Sequence, residues 1–373
     1  MQRLRSQPRH DWQQTVESQG LSYHTPDGQT YWDESAYYRF TAAQVDQLEK
    51  ATYALNDMCL AAVQRVIDEN LFPRFSLPPA IAHYVATSWD RDELTIYGRF
   101  DLAFDGHGPP KLLEYNADTP TALLEAAVIQ WHWMKDVLPN LDQFNSIHER
   151  LIEAWGRVKT TMPGPMYFTT CSANMEDFMT AAYLRDTAIQ GGLRTDYLTI
   201  ESIGWNWDRG LFVDQNEQQI INCFKLYPWE WMLREPFAPQ LLVDNTRWFE
   251  APWKMLLSHK AILTVLYEMF PNSQYLLEAS LEPLPGDCVR KPVLGREGAN
   301  VQLNAGGNVV LETEGIYSGP YVYQRLTNLP RFDGNYPIIG SWMVNGYACG
   351  IGIREDATPI TGNLSRFVPH VFG

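Results

Sequence analysis

The stretch from Leu94 to Tyr115 constrains the fold of this chain most. Leu94–Asp101 and Lys111–Tyr115 read as strands, and Asp105-Gly106-His107-Gly108-Pro109-Pro110 between them is a turn by composition. Side chains alternate across a strand, so Arg99 and Asp101 share one face, as do Glu114 and Asn116 on the next strand. In a regular hairpin turning near His107-Gly108, Asp101 lies opposite Glu114 and Arg99 opposite Asn116, while Phe100, Leu113 and Tyr115 point the other way. Two carboxylates and an amide oxygen at close range suit a hard cation such as Mg²⁺. Without a cation the carboxylates repel, and one would need a raised pKa. An exposed hairpin face with a surface salt bridge from Arg99 would satisfy the same pattern.

Regular elements flank this hairpin. Apolar residues at Val45, Leu48, Leu55, Cys59, Val63 and Val66 recur at helical spacing over Thr41–Leu71, and Phe72-Pro73 ends the run. Thr119-Pro120 is expected to open a helix continuing to about Val137, with threonine as N-cap and proline in the first turn. Tyr167–Thr169, Glu176–Gln190 and Thr195–Ile200 read as strand, helix, strand, a small α/β unit. Lys260–Phe270 reads as a helix, and Val289–Leu294, Val309–Glu312, Tyr321–Arg325, Ile338–Val344 and Gly350–Arg354 as strands of an antiparallel sheet. The length exceeds one ordinary domain, so two or three lobes are expected, packed together because no low-complexity linker intervenes.

Three further segments carry chemistry. Ala117-Asp118-Thr119-Pro120-Thr121 leads into a helix N-terminus, where free N–H groups and two threonine hydroxyls suit a carboxylate or phosphate, or serve simply as a cap. Lys291-Pro292-Val293-Leu294-Gly295-Arg296-Glu297-Gly298-Ala299-Asn300 puts a lysine at a strand end before a glycine-containing loop, so backbone and charge can approach phosphates; it is not a P-loop, since no GK[ST] opens a helix. Arg354-Glu355-Asp356 adds charge near the end of a late strand.

The formal net charge of −15 argues against a general nucleic-acid surface, which needs a basic face. It favours a cationic partner such as a polyamine, or simply solubility. Cys59, Cys171, Cys223, Cys288 and Cys349 form no CxxC pair, so neither a disulfide framework nor a zinc site is expected. Met1–Gln14 is polar, and no apolar run is long enough for a membrane span, so a cytoplasmic setting without membrane partners is expected.

Five motifs in order resemble the synthetase portion of the glutathionylspermidine synthase family. They are YGRFD (Tyr97–Asp101), LLEYNADTPT (Leu112–Thr121), HKAIL (His259–Leu263), KPVLGREGAN (Lys291–Asn300) and GIREDA (Gly352–Ala357). The resemblance implies an α+β ATP-grasp fold with an inserted α/β, preATP-grasp-like lobe. The expected divisions are an ATP-grasp lobe with the hairpin over 1–163, a substrate lobe over 164–251 and a second ATP-grasp lobe over 252–373. It also implies an ATP- and Mg²⁺-dependent ligase that phosphorylates a small-molecule or peptide carboxylic acid, then joins it to an amine, a polyamine among the candidates. By matched position, Asp101, Glu114 and Asn116 resemble metal ligands, and Arg99 and Arg354 resemble arginines acting on the transferring phosphoryl group. Lys260, Lys291, Gly295, Arg296, Gly298, Asn300 and Gln324 resemble nucleotide-binding residues. Thr119 and Thr121 resemble residues beside the acid, and Glu176 and Asp177 an acidic pair facing the amine.

The chain departs from the family pattern in places. A family lysine is missing from Ile360–Arg366, where Arg366 is the available replacement, and Ile338 and Leu226 stand where a glutamine and a threonine are expected. There is no room for the amidase domain of bifunctional members, so product hydrolysis is not expected. A nucleotide-binding regulatory protein that has lost ligation is the alternative.

Overall fold

A computed structural model describes residues 1–373. Its centre is a five-stranded antiparallel sheet in the order Arg366–Val368, Tyr347–Asp356, Tyr336–Val344, Tyr97–Ala103, Lys111–Asn116. Both faces of this sheet are covered. Phe100, Leu102, Ile339, Ile351 and Ile353 enter one core, whereas Tyr97, Trp342, Val344 and Cys349 enter the other. A strand covered on both sides reads as a continuous apolar run rather than an alternating one, which is why Ile338–Val344 announces a strand but not its orientation.

The helix Ala42–Asp68 packs on this sheet. Thr41 and Gln44 close a reciprocal capping box at its start, and Val45, Leu48, Leu55, Cys59, Val63 and Val66 are all buried. Thr52 Oγ1 lies 2.6 Å from Ser341 Oγ, a buried polar tie between helix and sheet.

The tail does not form the single antiparallel sheet expected. Tyr336–Val344 and Tyr347–Asp356 join the hairpin sheet, while Ala279–Ser280, Tyr321–Arg325, Cys288–Pro292, Gln302–Ala305 and Asn308–Glu312 form a second antiparallel sheet in that order. The segment between the hairpin and this tail supplies a four-stranded parallel sheet, ordered Arg247–Phe249, Asn222–Leu226, Met166–Thr170, Thr195–Thr199, with the helix Met175–Gln190 as a crossover. The two termini meet in a small sheet where Ala36–Phe40 lies between Gln2–Arg5 and His370–Phe372. No helix is long and apolar enough to cross a membrane.

The helix expected at Thr119 begins later. Residues 119–122 are irregular, Ala122 has φ +62°, and the helical run starts at Leu123, with a wide turn over Glu125–Ile129 before the α-helix Gln130–Val137. The helix expected from Lys260 runs from Ile262 to Met269, so Lys260 lies in the connection before it.

Candidate functional site

The hairpin register matches the alternation argument, with Arg99 opposite Asn116 and Asp101 opposite Glu114. A bulge follows immediately, between Asp101 and Leu102. It makes Leu113 the extra residue of its strand and leaves its side chain on the cleft wall rather than behind the sheet. Phe100 and Tyr115 do pack behind, stacked at 3.8 Å. On the front, Arg99 donates to both Asp101 oxygens at 2.6 and 3.0 Å. Asn116 Nδ2 bridges Asp101 Oδ2 at 3.1 Å and Glu114 Oε1 at 3.2 Å, and Lys260 Nζ lies 3.0 Å from Glu114 Oε2.

Burial would push the Glu114 carboxyl up. The ammonium groups of Lys260 and Lys291, with hydrogen bonds from Lys260 and Asn116, outweigh it and hold the carboxyl well below its usual range. The repulsion between paired carboxylates is thus met by cations and an amide N–H. No cluster of three or more His, Cys, Asp or Glu side chains suited to a metal occurs, so any divalent ion here would take two carboxylates and the Asn116 amide oxygen. That donor set is all hard oxygen and leaves positions for water or phosphate, which suits Mg²⁺. Turning the amide over would present Oδ1 in place of Nδ2.

The second antiparallel sheet closes over the hairpin. Lys291 Nζ donates to Leu113 O at 3.1 Å and Gln324 Oε1 at 2.8 Å, and Gln324 Nε2 donates to Leu112 O at 3.0 Å. Burial, reinforced by neighbouring Lys260, lowers the Lys291 ammonium to about 8 against the pull of Glu114. Lys260 also donates to Gly295 O at 2.7 Å, binding the glycine loop to the hairpin. In that loop Gly298 has φ +66°, and a Cβ there would sit 2.4 Å from Thr361 O, so glycine is required. Arg296 reaches Glu230 Oε1 at 2.6 Å and Thr119 Oγ1 at 2.9 Å. Asn300 is not on the cleft wall; its Oδ1 accepts from Tyr317 N at 2.8 Å and organises the loop from outside.

These residues line one cleft of about 590 Å³, shared by Arg99, Asp101, Glu114, Asn116, Thr119, Thr121, Lys260, Lys291, Gly295, Arg296, Gly298, Gln324 and Arg354. The size is in the range of nucleotide and cofactor sites. Arg354 binds the Gly362 and Asn363 carbonyls, and its buried Nε lacks a partner; no carboxylate pairs with it. Arg366 does not replace the missing lysine. Its guanidinium is engaged by Asp33 at 3.1 Å and Glu355 at 2.9 Å, away from the cleft.

Beyond the hairpin, Thr121 contributes its carbonyl to Arg99 Nη1 at 2.7 Å. Neither threonine caps the following helix, which begins at Leu123. Ile338 and Leu226 are buried on the cleft wall. Sequence reasoning missed several wall residues, among them Trp231, Arg331 and Tyr336; it also missed Glu230, which lines a small adjoining cavity with Thr119, Lys260 and Arg296. It also missed the fully buried ion pair of Lys225 Nζ with Asp118 Oδ1 at 2.6 Å; the other Asp118 oxygen accepts from Trp229 N at 2.9 Å. No local signal marks these contacts, since their partners lie far apart in the chain.

Of the acidic pair at the start of the Met175–Gln190 helix, Asp177 lies on the cleft wall and Glu176 is buried behind it. Burial, then repulsion from Glu176, raises the Asp177 carboxyl to about 7. Glu125, accepting from Tyr31 Oη at 2.8 Å, also rises to about 7, chiefly through burial and helped by Glu176. A carboxyl raised in the folded state binds more protons folded than unfolded between its ordinary value and 7. Its contribution is therefore present at low pH and lost as pH rises through 7. Glu125→Gln keeps an acceptor for Tyr31 and removes that loss. Urea unfolding should show the variant more stable at pH 8, by about 2–3 kcal/mol, and nearly equal to the parent at pH 4.5.

The family described as "Glutathionylspermidine synthase preATP-grasp" matches residues 3–373. A Haemophilus influenzae protein named "Putative acid--amine ligase" is 42% identical over 98% of this chain and 97% of its own length. The Crithidia fasciculata trypanothione synthetase is 31% identical over 84% of this chain, which spans 53% of that enzyme. The bifunctional glutathionylspermidine synthetase/amidase of Escherichia coli is 29% identical over 90% of this chain, which spans 59% of it. A glutathione synthetase-like effector from Globodera pallida shares the fold at 10% identity, with TM-score 0.57 over 99% of this chain and 98% of that one.

Proposed function

Because this chain belongs to the glutathionylspermidine synthase family, we propose that it is an ATP-grasp ligase joining a small-molecule or peptide carboxylic acid to an amine at the expense of ATP. The observation that carries this reading is the convergence of Asp101, Glu114 and Asn116 with Arg99, Lys260, Lys291, Arg296 and Arg354 on one cleft. Anionic oxygens surrounded by fixed cations are what phosphoryl transfer requires, since the protein's task there is positioning and charge stabilisation.

In this reading the wall at Gln324–Leu326 borders the base, and Lys260, Lys291 and the Gly295–Gly298 backbone hold the phosphates. Mg²⁺, held by Asp101, Glu114 and Asn116, would supply neutralisation of the phosphate oxygens. The substrate carboxylate sits beside Thr119 and Thr121, on the side bounded by the 164–251 lobe. Its oxygen attacks the γ-phosphorus and ADP leaves, while Arg99 and Arg354 stabilise the charge on the transferring group. The amine nitrogen then attacks the acyl carbon of the acyl phosphate, phosphate leaves with the former carboxylate oxygen, and the nitrogen gives up a proton. Asp177, with its carboxyl near 7, is the wall residue suited to take that proton. With Glu176 it also provides negative charge toward a cationic amine. Apolar Leu226 in place of the family threonine favours an acid other than glutathione.

Incubating the protein with ATP, Mg²⁺ and a mixed pool of acids and amines should yield a mass equal to acid plus amine minus water, with one ADP and one phosphate released per product. ATP binding without turnover for any pair would instead favour the non-ligating reading, which the missing lysine and the engaged Arg366 motivate.

A further inference from the structure

We propose that Glu230 is a built-in occupant of the anion fork made by Arg296 and Thr119, and that a phosphoryl group of the nucleotide must displace it. This rests on the ATP-binding reading above. Glu230 Oε1 accepts from Arg296 Nε at 3.1 Å and Nη2 at 2.6 Å, while Nη1 of the same guanidinium donates to Thr119 Oγ1 at 2.9 Å. Both donors meet the one oxygen Oε1, so the carboxylate already occupies the guanidinium edge that arginine would turn to a phosphate or carboxylate. The Trp231 ring lies 5.9 Å from its central carbon and covers it.

The two partners are anchored unequally. Glu230 belongs to the short helix Trp229–Met232, pinned by Trp229 N to Asp118 at 2.9 Å, by Trp229 Nε1 to Glu250 O at 3.0 Å and through Asp118 to buried Lys225. Arg296 rides on the loop after Cys288–Pro292, between Gly295 and Gly298. Lys260 holds that loop at Gly295 O and Gly298 packs against Thr361, so it is the long Arg296 side chain between these two points that can swing away. Arg354, on the same cleft, has no carboxylate partner and is open to an incoming anion. Arg296 is neutralised until its contact with Glu230 breaks, so nucleotide affinity is reduced by the fraction of molecules in the latched state.

The test is Glu230→Gln, which keeps an acceptor for Arg296 but removes the charge. Two readouts are needed: calorimetric binding of the non-hydrolysable analogue AMPPNP with Mg²⁺, and amide hydrogen exchange in the ligand-free protein. If the latched state outweighs the free one by about tenfold, the variant binds AMPPNP about tenfold more tightly. Exchange over residues 294–300 is then faster than in the parent, with exchange elsewhere unchanged. Equal or weaker AMPPNP binding by the variant would overturn the proposal and leave Glu230 as a strut. If the parent itself binds no AMPPNP, the ATP reading fails instead. Loop exchange then decides alone, faster supporting the latch and unchanged overturning it. Glu230→Asp, which keeps the charge but draws it back from the fork, takes the place of the glutamine variant should that one not fold, with the same outcomes.

Discussion

Glu114→Gln is expected to lower ATP-dependent turnover by about 10³-fold, the scale at which removing one electrostatic element of a reacting centre acts. The carboxylate faces Asp101 across the hairpin and is contacted by Lys260 at 3.0 Å and Asn116 at 3.2 Å. It is held ionised by those neighbours, so the neutral amide removes a charge present throughout the physiological pH range. The side chain is only partly buried, so the fold should survive. Steady-state release of ADP and phosphate, beside an unfolding curve for each protein, separates the two effects. Turnover within about tenfold of the parent would remove Glu114 from the metal and phosphate assignment.

Lys225→Met is expected to act on stability, by about 3–5 kcal/mol. Lys225 is completely buried and bonded to Asp118 at 2.6 Å. Burial depresses its ammonium and Asp118 counters that. Removing the lysine leaves a carboxylate enclosed with only the Trp229 N–H to satisfy it. By contrast, breaking the solvent-facing Arg65–Glu69 pair should cost about 0.3–0.5 kcal/mol. The midpoint of urea unfolding reads both. The double change Lys225→Met with Asp118→Leu should recover part of the loss, because no unpaired charge remains.

The hairpin was legible because its polar residues alternate at strand period and its turn is marked by glycine and proline. The Ala42–Asp68 helix was legible because its apolar face recurs at helical spacing within one continuous segment. What escaped depends on contacts between distant segments or on backbone detail without a residue signature. The bulge beside Asp101 exposes Leu113 to the cleft, although nothing in Lys111–Asn116 marks an extra residue. Thr119-Pro120 has the residues of a helix start, but Ala122 takes a left-handed φ with no glycine to signal it. The short Ala279–Ser280, Gln302–Ala305, Arg366–Val368 and His370–Phe372 were missed, while five strands of the tail could be identified one by one. Their division between two sheets follows from Tyr336–Val344 pairing with Tyr97–Ala103, a partner far earlier in the chain. Glu230 reaches Arg296 across 66 residues and Asp118 reaches Lys225 across 107, so these contacts were also invisible to local pattern. The family resemblance named most of the cleft's cations but placed Asn300 and Glu176 on a wall they do not line.

In the proposed function the Asp101–Glu114 hairpin binds a divalent ion together with nucleotide phosphates. Calorimetric titration with ADP, with Mg²⁺ and with chelator, tests it most directly in the parent and in Asp101→Asn/Glu114→Gln. The parent should bind ADP at least about tenfold more tightly with Mg²⁺, as metal ions add several kcal/mol of charge stabilisation at phosphoryl oxygens. The double variant should show the same weak affinity with and without the ion. A double variant that keeps the full Mg²⁺-dependent gain would contradict the account.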